Sequence, residues 1–171
     1  MSSGLLLLRL ALGGIMAAHG AQKLFGWWGG PGLRGTAGMC SRMAYRVPFL
    51  MACGLAIAEF GGGVSLAAGL LTPLGAVAVV TVMINAVYLV HWAKGFFVAN
   101  GGYEFNLLIA ASAVALAAIG PGRFSVDHAI GWADNISGVW WGLGVAGLAA
   151  ITAFLTLTAG RRKPQVAELP A

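Results

Sequence analysis

The chain reads as an all-α membrane protein: a compact four-helix transmembrane bundle followed by an additional C-terminal transmembrane helix. Three observations predict this. Hydrophobic residues fill 59% of the 171 positions and charged residues only 9%, which leaves too little polar surface to cover a soluble domain in water. The apolar residues gather into five runs, most of them close to the roughly 20 residues that cross a bilayer. Glycine, proline and charge collect between the runs, where a chain turns. The formal charge of +5 does not point to nucleic acid, because Lys and Arg stand singly or in short clusters between apolar runs, as membrane-edge charges do.

The first run, Gly4 to Gln22, is interrupted by Arg9 and lacks the basic leader of a cleaved signal, so it reads as a retained anchor. It ends in HGAQKLFGWWGGPG, from His19 to Gly32, which sets an imidazole, an ammonium and two indoles where an apolar helix runs out. Trp27 and Trp28, with Trp92 further on, read as interfacial aromatics. Gly29, Gly30, Pro31 and Gly32 then break the chain. Beyond them Met39, Met43 and Val47 on one side, with Arg34, Arg42 and Arg46 on another, predict a short amphipathic helix in the membrane interface.

The second run, Val47 to Leu71, and the third, Leu74 to Trp92, are separated by Thr72-Pro73. Proline cannot continue a helix, so the connection is a tight hairpin and the two helices are antiparallel neighbours. Gly54, Ala58 and Gly62 recur every four residues in the second run, a helix-packing face that lets another helix approach closely. The fourth run, Phe105 to Gly120, is the shortest, and a connection from Pro121 to Gly138 carries Arg123, Asp127, His128 and Asp134. The fifth, Val139 to Ala159, begins with a second packing face, Gly138, Gly142 and Ala146, suited to docking on a partner subunit or on another copy. From Arg161 the chain is basic and then rich in Pro and Ala, a composition that predicts disorder. The expected organisation is a core over 1–128, an added helix over 129–160 and a tail over 161–171.

Cys40 and Cys53 have neither the spacing of a redox pair nor that of a zinc site. Cys53, inside an apolar run, reads as a small buried hydrophobe. No metal site is predicted, and the glycine runs lack the context of a phosphate loop.

Antiparallel crossings place His19, Lys23, Trp27, Trp28, His91, Lys94 and Glu104 on one membrane face. If the N-terminus is outside and all five runs span, the positive-inside rule makes that face cytoplasmic. At about 1.5 Å per residue Glu59 lies about 18 Å along its helix and Asn85 about 16 Å along the next, so the two can meet near the bilayer middle. A carboxylate at that depth marks a proton, ion or substrate path, or else a neutral acid that fixes packing through Asn85 or a carbonyl. Thr81, Asn85, Tyr88 and Trp92 fall on one helical stripe, with His91 a turn from Tyr88. Such a stripe suits a quinone or another ring-bearing ligand, or plain helix packing. His19 reads either as an interfacial histidine or as a relay beside Lys23. The candidate proton or ligand site is therefore Glu59, His19, Lys23, Asn85, Tyr88, His91 and Glu104.

HGAQKLFGWWGG in the first segment, AEFGGGVSLAAGLLTPLGA from Ala58 to Ala76, His91-Trp92, and the EFNLL start and GPGRFSVD end of the fourth together resemble the DoxX family of small integral membrane proteins. The resemblance spans roughly residues 4 to 128. It implies a compact four-helix membrane core, a bacterial inner-membrane location and a redox setting, with some relatives linked to quinone and others to thiol stress. The positions that carry the family pattern are His19, Gly20, Lys23, Gly26, Glu59, Gly62, Gly63, His91 and Glu104. Pro73 and Trp28 depart from it. Two readings stand: the membrane subunit of a quinone- or thiol-linked redox system, acting with a partner protein that holds the cofactor, or a non-catalytic membrane anchor or assembly factor. Covalent cofactor attachment is not expected, and nucleic acid is not an expected partner.

Overall fold

The computed structural model describes residues 2–162. Seven helices follow one another: α1 (Ser2–Phe25), α2 (Gly32–Arg42), α3 (Pro48–Ala68), α4 (Thr72–Ala86), α5 (Glu104–Ile119), the short α6 (Val126–Ala129) and α7 (Val139–Thr158). Among the described residues there is no strand, only an isolated antiparallel bridge between Tyr45 and Arg161. α1, α3, α7 and the helical stretch Thr72–Lys94 are long and apolar enough to cross a membrane, and α5 is a shorter apolar helix. The chain is an all-α, multi-pass membrane protein, as its composition and the spacing of its apolar runs predict.

Local chemistry sets the ends of these helices. α1 stops at Gly26, which takes the left-handed conformation (φ 73°) that glycine adopts without strain. The α3–α4 hairpin lies three residues earlier than Thr72-Pro73: Gly69 (φ 64°) and Leu71 (φ 50°) make the turn, and Thr72 and Pro73 open α4. Proline is favoured in a first helical turn because no intrahelical N–H is needed there.

The closest packing is between α1 and α3. A Cβ on Gly13 would fall 2.5 Å from the Gly63 carbonyl oxygen, and one on Gly63 would fall 2.7 Å from that of Gly13. Glycine lets two backbones touch where no driving force separates helix from lipid. Gly62 faces Gly75, Ala78 and Val79 of α4, as its place on the packing face predicts. Ala58 is half-buried at the edge of the core. Gly54, by contrast, is exposed with nothing near its missing side chain, so the packing face covers only the later part of α3.

At the other packing face Gly142 rests on Ala118 of α5, whereas Gly138 (φ 115°) is a turn residue with open space around it. Val145, Ala149 and Ala153 continue the buried side of α7. α7 packs on α4 and α5 of the same chain, so Gly142 of that face is used internally.

α2 is the expected amphipathic helix, with a correction to its inner side. Thr36 and Cys40 are buried, Met39 and Met43 are half-buried, and Val47 lies beyond the helix and is exposed. Arg34, Arg42 and Arg46 are exposed. Arg161 and Arg162, expected in a free tail, are held: Arg162 N–H donates to Ala44 O (2.8 Å) and Arg161 Nε to Met43 O (2.8 Å). The rest of the expected disordered tail, from Lys163, lies outside the described residues.

At the hairpin end of the bundle Arg9 is fully buried. Its guanidinium donates to Leu66 O (3.0 Å), Ala67 O (2.8 Å), Pro121 O (2.6 Å) and Phe124 O (2.9 Å). Two of these, Leu66 O, which also accepts from Gly69 N–H (3.2 Å), and Ala67 O, lie at the end of α3, where a cation complements the helix dipole. Asp127, equally buried, accepts from Leu71 N (2.8 Å), Thr72 N (3.0 Å) and Thr72 Oγ1 (2.7 Å), capping the start of α4.

Candidate functional site

At the opposite end, α1 and α3 bring two ionisable groups together. Gly20 lies against Phe60, so Lys23 starts one turn beyond the level of Glu59. Side chains on a helix lean back towards its N-terminus, and that lean carries the Lys23 ammonium down to the carboxylate. Lys23 Nζ donates to Glu59 Oε2; the Glu59 side chain is 5% exposed and that of Lys23 19%. Pairing removes most of the penalty of a carboxylate among apolar helices. Glu59 therefore does not bond Asn85, one of the two partners the packing reading allowed.

The pair lies between two cavities. The larger, about 860 Å³, is enclosed by α2, the first half of α3, α4 and the end of α7, and its walls are largely apolar. The smaller, about 320 Å³, lies between α1, α4 and α5 beneath the segment Val98–Gly102. Lys23, Glu59, Ala86 and His91 border both. Glu59 Oε1 takes no hydrogen bond from the described residues, and the ammonium has two further N–H donors beyond the one given to Glu59.

A second polar group lines the larger cavity. Asn85 Oδ1 accepts from Tyr45 Oη (3.3 Å) and Thr156 Oγ1 (3.0 Å), and Asn85 Nδ2 donates to Thr81 O (2.9 Å). One of the two amide N–H bonds is left over. Tyr45 is positioned by the clamp between the α2–α3 connection and the end of α7, where Arg46 N–H donates to Gly160 O (2.9 Å). Burial pushes the Tyr45 phenol above its ordinary pKa; the Cys40 thiol adds to this and Arg161 opposes it. Burial likewise pushes the Cys40 thiol up, against the opposing charge of Lys23. Cys40 is the buried cysteine and Cys53 the half-buried one, the reverse of the emphasis the apolar run suggested; both border the larger cavity.

His91 reaches the site through a change of helical register. Val87–His91 forms a π turn, in which Trp92 N–H bonds back to Val87 O. His91 Nδ1 lies 2.6 Å from Gly101 O; a carbonyl only accepts, so Nδ1 carries the proton and Nε2 is left as an acceptor. The same turn ends the expected stripe. Thr81 and Asn85 face the larger cavity, but Tyr88 is 63% exposed and Trp92 66%, with Trp92 stacked on Tyr103 (centroids 5.6 Å, 14°). Tyr88 thus stands apart from the candidate site.

His19 lines the smaller cavity. Glu104 is at the same end of the bundle, but its Oε2 accepts from Val98 N (2.9 Å), holding the loop above the cavity and not lining it. Trp27 and Trp28 are exposed beside Phe25, with Trp27 4.9 Å from the Phe25 ring and 5.6 Å from that of Trp28. Among the described residues no three His, Cys, Asp or Glu side chains converge on a metal position.

Sequence reasoning missed Tyr45, Thr156 and Asn106 as lining residues and Arg9 and Asp127 as a second buried cluster. Arg9 carried a usable signal, since a cation within an apolar run raises the same question as Glu59. Thr156 carried none, because hydroxyls bonded to their own helix are ordinary in membrane spans.

A family model, DoxX, matches residues 4–92, just over half of the chain. No curated protein and no solved structure matches.

Proposed function

The chain belongs to the DoxX family, and we propose that it binds an amphipathic, ring-bearing molecule with carbonyl oxygens, a quinone, in the larger cavity as the membrane subunit of a redox system. One observation carries this reading: the Lys23–Glu59 pair borders open space inside the bundle with donors unused. A pair that served packing alone would be closed on every side by protein, since unused polar capacity in an apolar setting is costly. The cavity volume of about 860 Å³ falls in the range of small-molecule sites. Its apolar walls suit a ring and chain, while the Lys23 ammonium and the spare Asn85 N–H suit two carbonyl oxygens. Electrons come from a partner protein that holds the redox cofactor.

The basic residues support an orientation of the site relative to the membrane. Arg34, Arg42, Arg46, Lys94 and Arg161 all belong to the end of the bundle that carries Lys23, and such asymmetry orients that end towards the cytoplasm. The protein then resides in a bacterial inner membrane with its N-terminus outside.

Purified protein is expected to carry co-extracted quinone, and Glu59→Gln and Asn85→Leu proteins of unchanged helix content are expected to lose most of it. Quinone content equal in all three proteins contradicts the reading. The anchoring alternative draws on the exposed Arg34, Arg42 and Arg46 face: quinone-free protein that still recruits a partner, and loses it when these arginines become glutamine, supports that alternative instead.

A further inference from the structure

The two cavities that share the ion pair differ in what lies around them. Four ionisable side chains, His19, Lys23, Glu59 and His91, line the smaller one together with the Asn106 amide. The space of about 320 Å³, whose remaining wall is apolar with Met16, Met83, Phe105 and Ile109, has room for several water molecules, and these polar groups are partners to hold them. Its roof is the backbone at Val98, Gly101 and Gly102, which belongs to the connection between α4 and α5 and so to a membrane face.

The other direction is dry. Between Glu59 and the hairpin end stand Leu12, Met16, Leu66, Val79 and Leu116, all buried. Beyond them Arg9 and Asp127 close the bundle, with hydrogen bonds to both carboxylate oxygens and to the Arg9 Nε, Nη1 and Nη2. Protons do not cross a packed apolar layer without water or a titratable group to carry them.

We propose that the smaller cavity is a one-sided water port through which Glu59 exchanges protons with the membrane face carrying Val98–Gly102, and with no other. A proton arriving from that face passes along water and past His91 Nε2 to the carboxylate, and a departing proton retraces the path; only O–H and N–H bonds form and break. The charged and titratable groups around Glu59 are Lys23 and His19 from α1 and His91 after α4, with Cys40 of α2, Tyr45 and Arg46 of the α2–α3 connection and Cys53 of α3 itself lining the larger cavity. α5 and α7 face the two cavities with Asn106 and Thr156, which carry no charge. The port exists whatever fills the larger cavity; only its use in quinone chemistry rests on the reading above.

The test is sided thiol labelling in membrane vesicles of both orientations. A Cys40→Ser, Cys53→Ser protein carrying Glu59→Cys is exposed to the impermeant reagent methanethiosulfonate ethylsulfonate. Labelling is expected to be roughly tenfold faster from the Val98–Gly102 face than from the hairpin face, and Asn106→Trp, which fills the smaller cavity, is expected to abolish the difference by slowing the fast side. If Glu59→Cys does not accumulate, Asn106→Cys and Ala86→Cys read the same route with the ion pair intact. Equal labelling from both faces, faster labelling from the hairpin face, or a fast side unaffected by Asn106→Trp overturns the port. One-sided labelling in a protein that binds no quinone sinks the ligand reading and leaves the port standing.

Discussion

The two ends of the bundle each hold buried ionisable side chains, and they use them in opposite ways. At the hairpin end Arg9 donates four hydrogen bonds to backbone carbonyls and Asp127 accepts three from Leu71 and Thr72. At the other end Lys23 gives Glu59 one hydrogen bond, and both groups border empty volume. The first arrangement is saturated and ties α1, α3, α4 and the α5–α7 connection into one knot. The second retains binding capacity. Buried charge serves structure where its hydrogen bonds are complete; where they are not, unused capacity is what the proposed reading assigns to ligand binding.

The largest expected effect tests the saturated end. Arg9→Met removes four donated hydrogen bonds and leaves Ala67 O, Pro121 O and Phe124 O without that donor, and a destabilisation of about 3 kcal/mol or more follows, read as a lower unfolding midpoint in mixed micelles. A midpoint unchanged from wild type would show that the knot holds nothing together. Asp127→Ala comes next, because it uncaps the first turn of α4: about 2 kcal/mol in the same assay, with quinone content per folded molecule retained.

The open end is expected to behave in reverse. The double change Lys23→Met, Glu59→Gln removes both charges together, and replacing a buried pair by groups of similar size is often close to neutral, so stability shifts by less than about 1 kcal/mol. Quinone content nevertheless collapses. A large loss of stability in that double variant would place the pair with Arg9 as a structural device. The smallest effect is one of pH. Cys40 and Tyr45 both have pKa values raised in the folded protein, chiefly by burial. The unfolded chain releases these protons first, so stability is intact below the ordinary thiol and phenol values and declines as alkaline pH rises through the folded ones. Cys40→Ala is expected to flatten part of that decline, measured as unfolding midpoint against pH.

Much of the fold was legible in the sequence because lipid imposes so strong a length rule. Each expected apolar run became a helix, displaced by a few residues at its ends. Lys23, Glu59, His19, His91 and Asn85 all border one or both cavities, since helix direction and depth can be counted along the chain. What failed was local rotation. The π turn at Val87–His91 contains Tyr88 and precedes Trp92, and both lie off the stripe drawn with a uniform 3.6-residue period. Packing partners were equally hidden: Gly13, Gly20 and Gly63 make close backbone approaches while Gly54 makes none, and no spacing rule separates them. Arg9 and Asp127 are 118 positions apart, and no local pattern announces that one end of the bundle is closed by them.

On the proposed reading, the ion pair at the open end is a binding group. Titration of a short-chain benzoquinone into wild-type protein in nanodiscs, against Glu59→Gln and Arg9→Lys proteins of matched folded fraction, tests it most directly. Saturable binding to wild type and to the Arg9 variant, with affinity for Glu59→Gln weaker by roughly tenfold or more, is the predicted result. Equal affinity across all three, or binding abolished by Arg9→Lys while Glu59→Gln binds normally, would contradict it.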